Sequence, residues 1–111
     1  MPLSQSDFDR IADEALEEIS LAVETKLDDR VDVELQEGIL TIDMEDGGRY
    51  HINKHGPNRQ IWLSSPKSGA WHFNCDAPGA GWKATRDGTR LGELLRGEIG
   101  AATGIYPDLT I

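Results

Sequence analysis

Residues 51–73, HINKHGPNRQIWLSSPKSGAWHF, decide how the sheet of this chain is arranged. Within Arg59–Ser65 polar and apolar side chains alternate, as they do along a half-buried strand. Ile61 and Leu63 share one face, which we take to be the core face. Trp62 then lies on the opposite face among polar neighbours, where a large aromatic side chain is a candidate contact surface. The alternation alone leaves open a single exposed aromatic residue without a role.

Helical patterns stand at both ends of the chain. Apolar residues recur at helical spacing over Phe8–Leu27, and either Ser4 or Ser6 can cap this first helix. A second apolar stripe follows near the end of the sequence. We expect Thr89 to cap that second helix and Gly104 to end it, because the residue after a helix often needs a left-handed conformation.

The region between the helices contains six short segments, the last of them at Trp82–Arg86. Within each segment apolar and polar residues alternate, as in a strand. The turns between them are short, which favours antiparallel neighbours. One polar and one apolar sheet face indicate helices on one side only. We therefore predict an α+β two-layer sandwich, in which a six-stranded antiparallel sheet has the N- and C-terminal helices packed on one face. A single domain spanning residues 1–111 is expected.

The strand phase also predicts buried residues without a functional role. Trp71, Trp82 and Cys75 all fall on the core side of their strands. The C-terminal segment IYPDLTI is too apolar to remain in solvent. We expect it to fold back, with Leu109 or Ile111 closing the groove between the two helices.

The charge of the chain is unevenly distributed. Its formal net charge is −9, which argues against nucleic acid and anionic membranes as partners, since both would repel it. Residues 1–46 hold 15 acidic and three basic side chains, whereas residues 47–111 hold five acidic and eight basic ones. Six carboxylates of the first part form a candidate cation-binding surface, the acidic ridge: Asp13, Glu17, Glu24, Asp28, Asp29 and Asp32. Exposed carboxylates are hard oxygen ligands suited to iron, manganese, calcium or magnesium. A solvated acidic face is the alternative.

Other features of the sequence indicate the cellular compartment of the protein. Cys75 is the single cysteine, so no disulfide can form within the chain. No apolar run reaches 18 residues, and the N-terminus has neither a signal-peptide pattern nor the basic character of a transit peptide. We therefore expect a cytoplasmic bacterial protein, or a mitochondrial matrix protein whose leader has been removed.

The run Asn53-Lys54, the segment Pro57–Pro66 and the pair Ser68-Gly69 resemble the signature of the frataxin family, called CyaY in bacteria. The helical segments 8–27 and 87–104 also fit the layout of that family. The resemblance implies the frataxin fold and an acidic ridge on the first helix and first strand that binds iron (Fe²⁺ or Fe³⁺) loosely. This sequence departs from the family pattern at Leu21 and Thr25, where many relatives carry acidic residues.

The same resemblance implies a protein-docking role for the open face of the sheet. In frataxins this face engages the cysteine desulfurase and the iron–sulfur scaffold protein. The matching positions here are Asn53, Gln60, Trp62 and His72. The first three agree with the family directly, whereas many relatives have arginine in place of His72.

The sequence contains no catalytic motif, so no catalytic residue is assigned. We expect an iron-binding accessory protein of iron–sulfur cluster assembly, a monomer that could oligomerise with iron. Two alternatives remain open. One is a ferroxidase that oxidises and stores iron, although the sequence lacks the Glu-x-x-His pairs of di-iron bundles. The other is an acidic adaptor that acts without a metal.

Overall fold

The fold consists of a helix, six consecutive strands and a second helix over residues 3–111, the part of the chain that the computed structural model describes. The helices are α1 (Gln5–Leu27) and α2 (Leu91–Thr103), and a 3₁₀ turn at Asp28–Arg30 follows α1. The strands are β1 (Val31–Gln36), β2 (Ile39–Met44), β3 (Arg49–His55), β4 (Gln60–Ser65), β5 (Gly69–Asn74) and β6 (Lys83–Ala84). None of the described helices is long and apolar enough to cross a bilayer.

Local hydrogen bonds set where the helices begin and end. The Ser4 hydroxyl accepts from the Asp7 backbone N–H at 3.1 Å, which confirms a serine cap for α1. The prediction that Thr89 caps α2 is wrong, because the helix starts at Leu91 without a side-chain cap. The Thr89 N–H instead donates to the carboxylate of Asp87, so Thr89 belongs to the preceding turn. Gly104 ends α2 with a left-handed φ of 79°, as predicted.

The six strands form one antiparallel sheet in the order β1-β2-β3-β4-β5-β6. The last strand is shorter than the predicted Trp82–Arg86. The chain turns back immediately after it, where the Ala84 N–H donates to the Thr89 carbonyl and the Leu91 N–H donates to the Trp82 carbonyl. These bonds lead the chain directly from the sheet edge into α2.

Both helices pack on one face of the sheet, which confirms the predicted two-layer arrangement. Every second residue of the central strands points into the core beneath them: Leu40, Ile42, Tyr50, Ile52, Ile61, Leu63, Trp71 and Phe73 are buried. Trp82 and Cys75 are buried as well, as the strand phase predicted. Within residues 3–111 no helix covers the opposite face, which carries the polar residues of the same strands.

The C-terminal segment folds back over both helices. Leu109 belongs to the buried core, as predicted. The Ile111 carbonyl accepts from the Gly92 N–H of α2 at 3.1 Å, and the Thr110 hydroxyl donates to Glu18 of α1 at 3.4 Å. The segment therefore links the two helices.

Candidate functional site

The acidic ridge runs along α1 and continues through the 3₁₀ turn into β1. Its six carboxylates are all exposed. Asp13 and Glu24 are 11 residues apart on α1 and hence separated by about 16 Å along the helix axis. Asp28, Asp29 and Asp32 lie much closer together, since the chain turns sharply there at Asp28, whose φ is 48°. The structure thus places the predicted residues along a strip. Within residues 3–111 no group of three or more histidine, cysteine or acidic side chains is arranged to hold a metal ion.

The ridge carboxylates differ in their ionic partners. Asp13 is neutralised by Lys54 of β3, whose Nζ lies 3.1 Å from its Oδ1. Asp32 stands directly opposite Asp43 across the β1–β2 pair, and Arg49 pairs with Asp43 at 2.5 Å. Among the described residues, no cation lies within salt-bridge distance of Glu17, Glu24, Asp28, Asp29 or Asp32. These five positions carry the negative potential of the ridge.

The predicted docking residues come together on the open sheet face. Strand register places Asn53 opposite Trp62, and Trp62 opposite His72, in one row across β3, β4 and β5. Gln60 lies next to this row, and its amide donates to the Asn74 side-chain oxygen at 3.0 Å. We call Asn53, Gln60, Trp62 and His72 the docking row. The row is continuous over three strands whose other face packs on the core.

Trp62 is half-buried rather than freely exposed, because other side chains of the open face cover it. Its ring stacks on His72 with 4.3 Å between centroids and an interplanar angle of 11°. On its other side it stacks on His55 at 3.6 Å and 8°. The indole N–H donates to Gln60 Oε1 at 2.8 Å. Every polar atom and both faces of this tryptophan therefore have a partner within the protein.

Two residues of this surface were not predicted from the sequence, His55 and Ile39. Gly56 and Pro57, which follow His55, are typical of a loop, but β3 continues through His55, which pairs with Gln60. Counting the alternation two residues beyond Asn53 would have placed it on the open face. Ile39 is 43% exposed and lies opposite Asn53 on the same face. The docking row thus ends in an apolar side chain on its β2 side.

The serines of the Ser-Ser-Pro-Lys-Ser-Gly segment have a structural role. The hydroxyls of Ser65 and Ser68 donate to the Glu98 carboxylate of α2, each at 2.6 Å, and the buried Tyr50 hydroxyl donates to it at 2.9 Å. Burial, reinforced by this carboxylate, raises the pKa of Tyr50 well above its usual range. The Ser68 hydroxyl also accepts from the indole N–H of Trp71 at 2.9 Å. This network fastens α2 to the β4–β5 end of the sheet.

Cys75 takes no part in either surface. Its side chain is buried, and burial raises the pKa of the thiol, so the reactive thiolate is disfavoured. The Sγ atom donates to the Ala77 carbonyl at 3.1 Å. The environment fits the structural role that the sequence predicted.

Sequence comparison places the chain among known proteins. The family model described as the frataxin-like domain matches residues 1–105. The mitochondrial frataxin of Dictyostelium discoideum is 42% identical over 96 residues, which cover 83% of this chain and 50% of that protein, so the chain spans half of that relative's length. The iron–sulfur cluster assembly protein CyaY of Cupriavidus metallidurans is 32% identical over 107 residues, with 94% of each chain covered. Both cellular settings expected from the sequence, mitochondrial and bacterial, occur among these relatives.

Solved structures agree with this result. Frataxin from Psychromonas ingrahamii superposes with a TM-score of 0.85 at 23% identity, covering 98% of this chain and 100% of that one, and it supports the fold. The trimeric frataxin of Saccharomyces cerevisiae complexed with ferrous iron has a TM-score of 0.63 at 36% identity, with 94% and 93% covered. The family model and the nearly end-to-end match to a bacterial CyaY together show that this chain belongs to the frataxin family.

Proposed function

We propose that this protein is a single-domain accessory factor of iron–sulfur cluster assembly rather than an enzyme. It binds iron as cargo on the acidic ridge and docks through the docking row on the complex of cysteine desulfurase and scaffold protein. Its proposed place is the bacterial cytoplasm, or the mitochondrial matrix in an organelle. The observation that carries the proposal is the docking row, an ordered set of amide and aromatic side chains on the sheet face that neither α1 nor α2 covers.

Charge and exposure support the iron-binding part of the proposal. Five ridge carboxylates lack a cationic neighbour among the described residues, so they concentrate cations at this end of the molecule. Carboxylate oxygens suit both oxidation states of iron. Because the side chains are exposed and spread along a helix and a turn, each ion would gain few ligands. We therefore propose weak binding at several sites with little selectivity.

Strand pairing and composition support the docking part of the proposal. Tryptophan is among the residues that most often dominate the energy of protein interfaces. Asn53, Gln60 and His72 surround Trp62 with hydrogen-bonding groups, and Ile39 adds an exposed apolar side chain at the end of the row. A surface formed by three paired strands loses little conformational freedom on binding. These properties suit a partner that contacts a flat, pre-formed surface.

Anaerobic calorimetry tests both parts with one set of reagents. Fe²⁺ is titrated into the protein, and the protein is titrated into the desulfurase–scaffold complex with and without Fe²⁺. We expect weak iron binding at more than one site and measurable docking on the complex. Docking without any iron binding would favour the metal-independent adaptor. Absence of docking would contradict the proposal. The ferroxidase alternative needs a separate aerobic measurement, in which rapid oxygen consumption on addition of Fe²⁺ would favour it.

A further inference from the structure

The geometry around Trp62 shows how the indole is held. Trp62 and His72 are directly paired across β4 and β5, so their stacking follows from the register. His55 is a diagonal neighbour from β3, two residues beyond the Asn53 position that pairs with Trp62. Aromatic side chains can reach across such a diagonal. The indole is thus enclosed between two imidazoles that come from different strands.

Hydrogen bonds anchor the imidazole of His55 as well as the indole of Trp62. The backbone N–H of Asn58 donates to Nδ1 of His55 at 3.3 Å, which connects the imidazole to the β3–β4 loop. This bond places the proton of the neutral imidazole on Nε2. At the centre, Gln60 holds the indole N–H, and Asn74 in turn holds Gln60. Hydrogen bonds therefore fix the rings of both His55 and Trp62.

We propose that His55 is a positioning residue of the docking row. Its imidazole and that of His72 clamp the indole of Trp62, so that a partner meets the edge of the tryptophan and not its face. This inference rests on the proposed function of the open sheet. Aromatic ring edges carry partial positive charge, and they favour carbonyl or carboxylate oxygens and the faces of other rings. The preferred partner surface at this point is therefore one that offers oxygen acceptors or an aromatic face.

Two substitutions separate the ring of His55 from its hydrogen bond. His55→Phe keeps a ring that can stack but removes the acceptor for Asn58. His55→Gln keeps a polar acceptor but removes the ring. His51→Gln is the matched control, because His51 lies on the same strand and face and pairs with Thr41 and Ser64, whereas His55 stacks on Trp62.

The first measurement uses the free protein. In ¹⁵N-tryptophan-labelled samples the indole resonance of Trp62, identified by its loss in Trp62→Phe, reports the ring currents of its neighbours. We expect this resonance to move clearly in His55→Gln, while His51→Gln leaves it in place. An unmoved resonance in His55→Gln would show that the imidazole does not position the indole, and would overturn the inference.

The second measurement is the affinity for the desulfurase–scaffold complex. We expect His55→Gln to weaken binding about fivefold to tenfold, and His55→Phe and His51→Gln to stay within about twofold of the wild type. Trp62→Ala serves as the reference. If Trp62→Ala binds like the wild type, the proposed docking function fails. If Trp62→Ala weakens binding but His55→Gln does not, or if His55→Phe loses as much as His55→Gln, docking stands and the positioning role of the His55 ring is overturned.

Discussion

The Glu98 network offers a quantitative test of how the second helix is attached. Glu98→Ala removes the acceptor of three hydroxyl donors, from Tyr50, Ser65 and Ser68. Ser68 is exposed and can turn to water, but Tyr50 is fully buried and would keep an unsatisfied hydroxyl. A buried group left without its partner costs about 1–3 kcal/mol, and a hydrogen bond to a charged group contributes about 1.5–3 kcal/mol. Because solvent replaces part of the lost hydrogen bonding, we expect Glu98→Ala to lower the free energy of unfolding by about 2–4 kcal/mol.

Thermal unfolding measures the effect directly. For a domain of this size, 1 kcal/mol corresponds to about 4 °C, so Glu98→Ala should lower the melting temperature by about 8–16 °C. Glu93→Ala, an exposed position on the same helix, is the control and should change little. Adding Tyr50→Phe to Glu98→Ala removes the stranded hydroxyl and should recover part of the loss. A melting temperature for Glu98→Ala equal to that of Glu93→Ala would refute the reasoning.

Three further outcomes are expected. Neutralising every ridge carboxylate except Asp13 with Asn or Gln should weaken Fe²⁺ binding in anaerobic calorimetry and leave stability equal or higher, because repulsion of about 0.2–0.5 kcal/mol between Asp13 and Glu17 is relieved. Unchanged iron affinity would contradict the ridge, and neutralising three exposed carboxylates outside it, Glu37, Asp76 and Glu93, is the control. The pKa of Tyr50 is raised on folding, so the stability it contributes is complete below about pH 10 and is lost as the pH rises further; urea unfolding from pH 8 to 11 should therefore show a steeper alkaline loss in the wild type than in Tyr50→Phe, and parallel curves would count against this. Deleting residues 107–111 exposes the groove under Leu109 and should cost at least the roughly 1.5–3 kcal/mol of that buried side chain; an unchanged melting temperature would exclude a structural role for the tail.

Period-two alternation was sufficient to predict the faces of the sheet. It placed Trp71 in the core and Trp62 on the open side, because adjacent residues of a strand point in opposite directions and a single buried face fixes the phase. The same pattern gave the two-layer architecture, since only one face was apolar. These features are local in sequence and therefore readable from it.

Features that depend on contacts between distant segments could not be read in this way. The network of Ser65 and Ser68 needs Glu98, which lies 30 or more residues away in α2. Glycine and proline after His55 are typical of a loop, but pairing with Gln60 keeps His55 in the sheet and in contact with Trp62. The ridge carboxylates were identifiable by charge, but their spacing along a strip depends on the turn at Asp28.

The central claim, that the open sheet face docks on the assembly complex, is tested most directly by comparing two tryptophans. Trp62→Ala removes two stacked contacts at a half-buried position, so we expect it to cost about 1–2 kcal/mol of stability. Its affinity for the desulfurase–scaffold complex should fall at least tenfold, which is about 1.4 kcal/mol. Trp71→Ala empties a core position and should cost about 3–5 kcal/mol of folding stability. A folded Trp62→Ala protein that binds the complex with wild-type affinity would contradict the account.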